Sequence, residues 1–186
     1  NITSPANYFH ALRRQLRRNF RKPLVIMTPK SLLRHKRCVS SLADMTGKTT
    51  FRRVIGETGK IAAAAKVRRV VLCSGKVYYD LLQSREDRGL DDVAIVRVEQ
   101  LYPWPKDSVM RELSKYKNAE VVWCQEEPKN MGAWTFVDRR IEYALEEIDI
   151  NAKRPFFAGR PPAASPATGL MKTHVREQNQ LVEWAL

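Results

Sequence analysis

Two rhythms of apolar and polar positions alternate through residues 67–186. Val67 to Cys73 closes on the apolar run Val70-Val71-Leu72-Cys73 and reads as a strand. The turn Ser74-Gly75 follows, then a helix over Lys76 to Arg88 with Val77, Tyr78, Leu81 and Leu82 inward. Gly89 ends that helix, and Val93 to Val98 is the next strand. Strand, helix, strand in this order predicts parallel pairing through a right-handed crossover. The pattern then repeats: Leu101-Tyr102-Pro103-Trp104-Pro105 is a stiff loop, Lys106 to Tyr116 a helix, Glu120 to Cys124 a strand. A helix from about Ala133 to Glu147 is amphipathic through Phe136, Val137, Ile141, Tyr143, Ala144 and Ile148. Pro155 to Ala158 is a last short strand, and the prolines of Gly159 to Gly169 make a loop. Thr173 is expected to cap a final helix holding Val175, Leu181, Val182 and Trp184, with Glu177 in its first turns.

The region before residue 67 follows a different pattern. Ser4-Pro5 is an N-cap followed by a first-turn proline. Tyr8, Phe9, Leu12, Leu16 and Phe20 then recur at helical spacing as one apolar stripe. Arg13, Arg14, Arg17, Arg18, Arg21 and Lys22 fill the other faces and gather toward the C-terminal end, where the helix dipole favours cations. Pro23 stops the helix, and Leu24-Val25-Ile26-Met27 reads as a strand covered on both faces. Thr28-Pro29-Lys30-Ser31 turns the chain into a short helix with Leu32, Leu33 and Arg34, and Phe51 to Ile55 is a further possible strand. Together these elements predict an α/β fold: a doubly wound, mostly parallel sheet of about five strands. Residues 1–22 form a basic helix leading into an α/β domain over 23–186. Ligands of such sheets sit beyond the carboxyl ends of the strands. Thr28–Arg34, Ser74–Lys76, Glu99–Trp104 and Gln125–Trp134 are the segments expected there.

Composition narrows the function. Of 186 residues 44% are hydrophobic, enough for a core and too many for a disordered chain. No stretch reaches the roughly 20 apolar residues of a membrane-spanning helix. Cys38, Cys73 and Cys124 are odd in number and far apart, which fits free buried thiols better than a disulfide framework or a zinc site. The net charge of +13 is concentrated in the first sixty residues, where fourteen Lys and Arg face only Asp44 and Glu57. Such a region wants an anionic partner. Lys30 and Arg34, four residues apart, share a helical face and could clamp a phosphate or carboxylate, with Ser31 beside them. Ser74-Gly75-Lys76 opens a helix but lacks the spaced glycines of a phosphate-binding loop. Glu126 and Glu127 are adjacent in an extended segment, so they point apart and cannot flank one bond. His10, His35 and His174 are dispersed, and His10 reads as a packing histidine. No complete active site is visible. A basic nucleotide- or nucleic-acid-binding module remains the alternative reading of the cationic helix.

Longer strings add a resemblance. They are Ser4-Pro5-Ala6-Asn7-Tyr8-Phe9-His10 with Leu12-Arg13-Arg14-Gln15, and Lys22-Pro23-Leu24-Val25 with Thr28-Pro29-Lys30-Ser31-Leu32-Leu33-Arg34-His35. Cys73-Ser74-Gly75-Lys76-Val77-Tyr78-Tyr79-Asp80-Leu81, Arg97-Val98-Glu99-Gln100-Leu101-Tyr102-Pro103 and Trp123-Cys124-Gln125-Glu126-Glu127-Pro128-Lys129-Asn130 follow, with Ala158-Gly159-Arg160 and Ala167-Thr168-Gly169 closing the set. Nearly end to end, the chain resembles the C-terminal domain of the thiamine-dependent 2-oxoglutarate dehydrogenase E1 family. Met131 stands where that family typically reads glutamine. The resemblance implies a transketolase-C-terminal-like fold and a non-catalytic dimerisation and regulatory role. It also implies thiamine diphosphate and magnesium held by preceding E1 domains absent from this chain, so no catalytic, cofactor or metal residue is assigned here. The implied partners are those domains, a second E1 subunit, the E2 succinyltransferase and E3. Acetyl-CoA or AMP is implied as an effector, and bacterial cytoplasm or mitochondrial matrix as the compartment. By motif position Arg14 and Lys22 resemble effector-contacting residues, and with Lys30 and Arg34 they make the candidate anion site.

Overall fold

The computed structural model describes residues 1–186. Its centre is a five-stranded sheet in the order β1-β3-β2-β4-β5. The strands are β1 (Val54–Ile55), β2 (Arg69–Cys73), β3 (Val93–Val98), β4 (Glu120–Pro128) and β5 (Phe156–Arg160). β3, β2, β4 and β5 run parallel, and the two-residue β1 joins the β3 edge antiparallel. Five helices accompany them: α1 (Pro5–Arg17), α2 (Val77–Asp87), α3 (Lys106–Leu113), α4 (Trp134–Glu146) and α5 (Met171–Ala185).

Side chains alternate across a strand, so each strand feeds two cores. Val70, Leu72, Val96, Val121 and Trp123 meet Val109 and Leu113 of α3 and Val137, Ile141 and Leu145 of α4 on one face. Val71, Cys73, Ile95, Val122 and Cys124 meet Val77 and Leu81 of α2 and Leu181, Val182 and Ala185 of α5 on the other. Helices on both faces explain why the central strands read as continuous apolar runs. The doubly wound, mostly parallel fold expected from the pattern is the one found. α2 ends at Gly89 with φ +62, and the N–H of Leu90 donates to the Arg85 carbonyl at 3.0 Å, which satisfies the last turn.

Several expectations need correction. Leu24–Met27 is not a covered strand: no backbone hydrogen bond ties it to the sheet, and Val25 and Met27 are 79% and 89% exposed. Local hydrophobicity cannot make a strand where no sheet edge offers a ladder. α1 ends at Arg17, five residues before Lys22, because Arg18 already turns extended. Its apolar stripe faces outward, and Thr3, Asn7, His10 and Ala11 are the residues that α1 and its lead-in bury. The predicted strand at 51–55 shrinks to Val54–Ile55, and the helix at 30–34 is a 3-10 turn. β4 continues through Gln125 to Pro128, past the apolar run. α3 stops at Leu113. Tyr143, Val175 and Trp184 are exposed, while Leu145 and Ala185 fill the core positions they were expected to take. Leu170 rather than Thr173 precedes α5, with no side-chain cap.

Candidate functional site

The strand connections reverse direction between β2 and β4, since β2 leads to β3 on one side and β3 crosses over to β4 on the other. In an open α/β sheet this switch point is the favoured crevice. Here its polar groups are tied to one another. Ser74, just past β2, accepts from Asn1 Nδ2 at 2.9 Å. Lys76 pairs with Glu126, which also accepts from Gln178 at 3.0 Å. Glu127 turns to the opposite, exposed side, as expected of neighbours on a strand.

Gln125 organises the loop after β4. Its Oε1 accepts from Trp123 Nε1 at 3.0 Å and the Trp134 N–H at 2.9 Å. Its Nε2 donates to the Pro128 and Met131 carbonyls at 3.2 and 2.8 Å. Gly132 closes the loop at φ +66, where a Cβ would stand 2.8 Å from Gln125 Nε2. At the carboxyl end of β5, Arg160 donates to Glu177 at 3.1 Å, to Gln178 at 2.9 Å and to the Glu126 carbonyl. His174 Nδ1 lies 3.2 Å from the same guanidinium and acts as acceptor there.

A second polar centre lies at the carboxyl end of β3. Glu99 is 2% exposed, and its Oε2 accepts the Thr3 N–H and Asn7 Nδ2, both at 2.9 Å. Thr3 Oγ1 donates to Glu99 Oε1 and accepts from Arg97 Nη1 at 3.1 Å. Asn7 exchanges two bonds with the Arg52 backbone, at 2.9 and 2.8 Å. The segment leading into α1 is thereby fastened across the strand ends by a buried carboxylate.

Beside this seam α1, the loop of residues 37–52, the start of α2 and β3 enclose a cavity of about 560 Å³. Arg37, Lys48, Arg52 and Arg97 line it against one carboxylate, Asp44. Arg37 is paired with Glu86 at 2.6 Å, and Asp44 caps the Ser41 N–H at 3.2 Å. His10 Nε2 donates to the Asp44 carbonyl at 2.8 Å, which places its proton on that nitrogen. The arrangement can hold an anion. It offers no nucleophile with a base beside it, and no three His, Cys, Asp or Glu side chains in the chain are placed to hold a metal ion together.

Residues 39–186 match the family described as 2-oxoglutarate dehydrogenase C-terminal. The 2-oxoglutarate dehydrogenase E1 components of Brucella ovis and Brucella canis are each 56% identical to this chain over 194 residues, covering 100% of it. The chain belongs to the 2-oxoglutarate dehydrogenase C-terminal family. It spans 19% of the length of those relatives.

The strings that carry the family resemblance acquire physical roles in the structure. Ser4 to His10 and Arg97 to Gln100 meet at the Glu99 seam, and Trp123 to Asn130 builds the Gln125 hub. At the departure from the family pattern, the loop uses only the backbone of Met131. Its carbonyl accepts from Gln125, and its N–H donates to the Pro128 carbonyl at 2.8 Å. A change of side chain there leaves both bonds in place.

The four cations singled out from the sequence are distributed around α1. Arg14 lies on the docked face with Asn7, donates to Gln100 Oε1 at 3.2 Å and stacks 4.3 Å over Phe51. Burial, followed by the charges of Arg18 and Arg53, lowers its pKa from the ordinary arginine value, so an anion arriving there would relieve repulsion. Lys30 and Arg34 are exposed on the 3-10 turn. That turn's Leu32 and Leu33 line a groove with Tyr8, Phe9 and Leu12, on the other side of α1 from Arg14. Lys22 is exposed near the Phe20 ring, at 5.7 Å. The pattern places Glu99 and Gln125 at the heads of two segments expected at the ligand side, but singles out neither side chain, nor Thr3, Asn7 or Arg97. The available signal was a charged residue at each end of Arg97-Val98-Glu99, closing a strand otherwise wholly apolar.

Proposed function

We propose that this chain is the C-terminal, non-catalytic dimerisation and regulatory domain of a 2-oxoglutarate dehydrogenase E1 component. In this reading the parent protein oxidatively decarboxylates 2-oxoglutarate and passes the succinyl group to the lipoyl arm of E2. Its thiamine diphosphate and magnesium are held by preceding domains, and its assembly partners are a second E1 subunit, E2 and E3. The compartment is bacterial cytoplasm, in keeping with the bacterial relatives. One observation carries the non-catalytic part. The polar groups at the strand ends, Glu99, Lys76 with Glu126, and Gln125, are consumed in holding backbone and side chains of the chain itself.

The dimerisation part is supported by apolar surface left uncovered. Leu16, Val25, Met27 and Leu33 are each at least 75% exposed, and Leu33 lines the groove beside α1. The regulatory part is supported by the cations of α1 and the following turn, with Arg14, Lys22, Lys30 and Arg34 as the set that meets acetyl-CoA or AMP.

The test has three arms. The chain supplied with 2-oxoglutarate, thiamine diphosphate, magnesium and an electron acceptor should show no turnover; robust turnover overturns the non-catalytic reading. Calorimetry with acetyl-CoA and AMP should lose its signal in the Arg14→Ala, Lys22→Ala variant; unchanged binding removes those residues from the site. Salt-sensitive binding of DNA or RNA, with no response to either nucleotide, would favour a nucleic-acid module instead.

A further inference from the structure

The cavity between α1, the 37–52 loop and the carboxyl end of β3 contains buried polar atoms that the fold leaves without partners. Arg97 is 7% exposed and lines the cavity, yet its five donors make one hydrogen bond, to Thr3 Oγ1 at 3.1 Å. Its Nε is buried with no partner. The Tyr78 ring, 4.1 Å away, takes up part of the charge, and Glu99 is reached only through the Thr3 hydroxyl. His10 is 3% exposed and lines the same cavity, and its Nδ1 is likewise buried and unpartnered. Its other nitrogen is fixed by the Asp44 carbonyl, so the ring does not turn freely to satisfy Nδ1. An unmade bond on a buried charged group is costly, and native proteins seldom leave two beside one cavity.

The surrounding charge is predominantly positive, with Asp44 the one carboxylate in the lining. Lys48 and Arg52 line the cavity, and neither side chain has a hydrogen-bond or ion-pair partner in the chain. Arg37 adds a third cation at the wall, its charge offset by Glu86 at 2.6 Å. Ser40, Thr50 and Tyr78 are also in the lining. A volume of about 560 Å³ suits a small molecule rather than a polymer. Guanidinium groups bind oxyanions by paired donors, and several cations around one cavity call for several negative charges on one ligand.

The geometry points to a binding site for a compact phosphorylated small molecule, with Arg97, Arg52 and Lys48 holding the phosphate oxygens and His10 Nδ1, the unprotonated nitrogen, accepting from a hydroxyl of the ligand. The set is separate from Arg14, Lys22, Lys30 and Arg34, and the site stands whether or not those four bind a nucleotide.

Sodium pyrophosphate is the probe, titrated into the full chain by calorimetry and by side-chain nitrogen resonance spectroscopy. Saturable one-to-one binding is expected, with shifts in the resonances of His10 and Arg97. The Lys48→Ala, Arg52→Ala variant, both positions exposed, should keep the fold and weaken binding roughly tenfold or more, the scale of lost charge-assisted bonds. Arg97→Lys should weaken it too, with circular dichroism confirming that the variant folds. The Arg14→Ala, Lys22→Ala variant should leave it unchanged, which separates this site from the effector proposal. Absence of saturable binding, indifference to the Lys48 and Arg52 changes, or equally tight binding of citrate would overturn the assignment.

Discussion

Trp123, inside β4, and Glu99, at the end of β3, are both buried, and each anchors a different part of the molecule. Around Trp123, apolar side chains from β2, β3, β4, α3 and α4 interlock, and Gln125 Oε1 accepts the hydrogen bond of its indole N–H. Around Glu99, nearly every contact is a hydrogen bond, and the groups it fastens belong to residues 1–7. The first arrangement is non-directional and tolerates relaxation; the second depends on each donor being in place. The difference teaches why the first sixty residues can leave their leucines and valines outside. They are attached by a polar seam, so their apolar side chains are free to face something else.

Breaking the apolar side should have the largest effect. Trp123→Ala empties a fully buried site and should cost about 3–5 kcal/mol in urea unfolding. A loss below about 1 kcal/mol would mean the core is not organised around that ring. Glu57→Gln comes next. This carboxylate pairs with Arg85 at 2.5 Å and accepts the Ile95 N–H at 2.7 Å on the open edge of β3, so the change should cost about 3 kcal/mol at neutral pH. Burial opposes its ionisation, but the bonds from Arg85, Ile95 and Gly59 prevail and hold its pKa below the ordinary 4.5. Its contribution is therefore full above that value and disappears as pH falls through the lower folded value. The variant should lose that part of the acid slope; an unchanged slope would place the sensitivity elsewhere.

The polar side should give a local effect. Glu99→Gln sets an NH₂ group among donors, costing about 2 kcal/mol. Amide exchange should accelerate over residues 5–17 while β2 and β4 keep their protection; a uniform change would show the seam and the core to be one cooperative unit. Gly132→Ala, at φ +66 and against Gln125, should lower stability by about 1–2 kcal/mol, read as a fall in melting temperature. Leu16→Ser is the sharpest comparison at the smallest scale. It sits in the apolar stripe of α1 yet is 75% exposed, so stability of this chain should change by no more than about 0.5 kcal/mol.

Much of the sheet was legible because its residues obey local rules. β3 occupies Val93 to Val98, the span the pattern predicts, since the apolar run Val93-Ala94-Ile95-Val96 follows the polar pair Asp91-Asp92. β4 was read four residues short, because Gln125, Glu126 and Glu127 do not look like a strand until the Gln125 hub is seen. Of the candidate anion residues, Arg14, Lys22, Lys30 and Arg34 are conspicuous as cations in a basic region. Arg97 and His10 were not, because their importance rests on what they lack: partners for buried nitrogens, a property no spacing encodes.

The amino-acid order alone determined the strand and helix succession after residue 67, the parallel sheet, the free thiols and the concentration of charge in the first third. These follow from periodicity, turn residues and composition, which act over a few positions at a time. Only the tertiary structure decided that α1 docks by Asn7 and His10 rather than by its leucines, and that Leu24–Met27 stays outside the sheet. It also decided that Glu99 and Arg97 meet Thr3 across more than ninety residues. Whether a face is buried depends on the surface offered to it, and a carboxylate that alone can satisfy buried donors outweighs a better hydrophobic pattern.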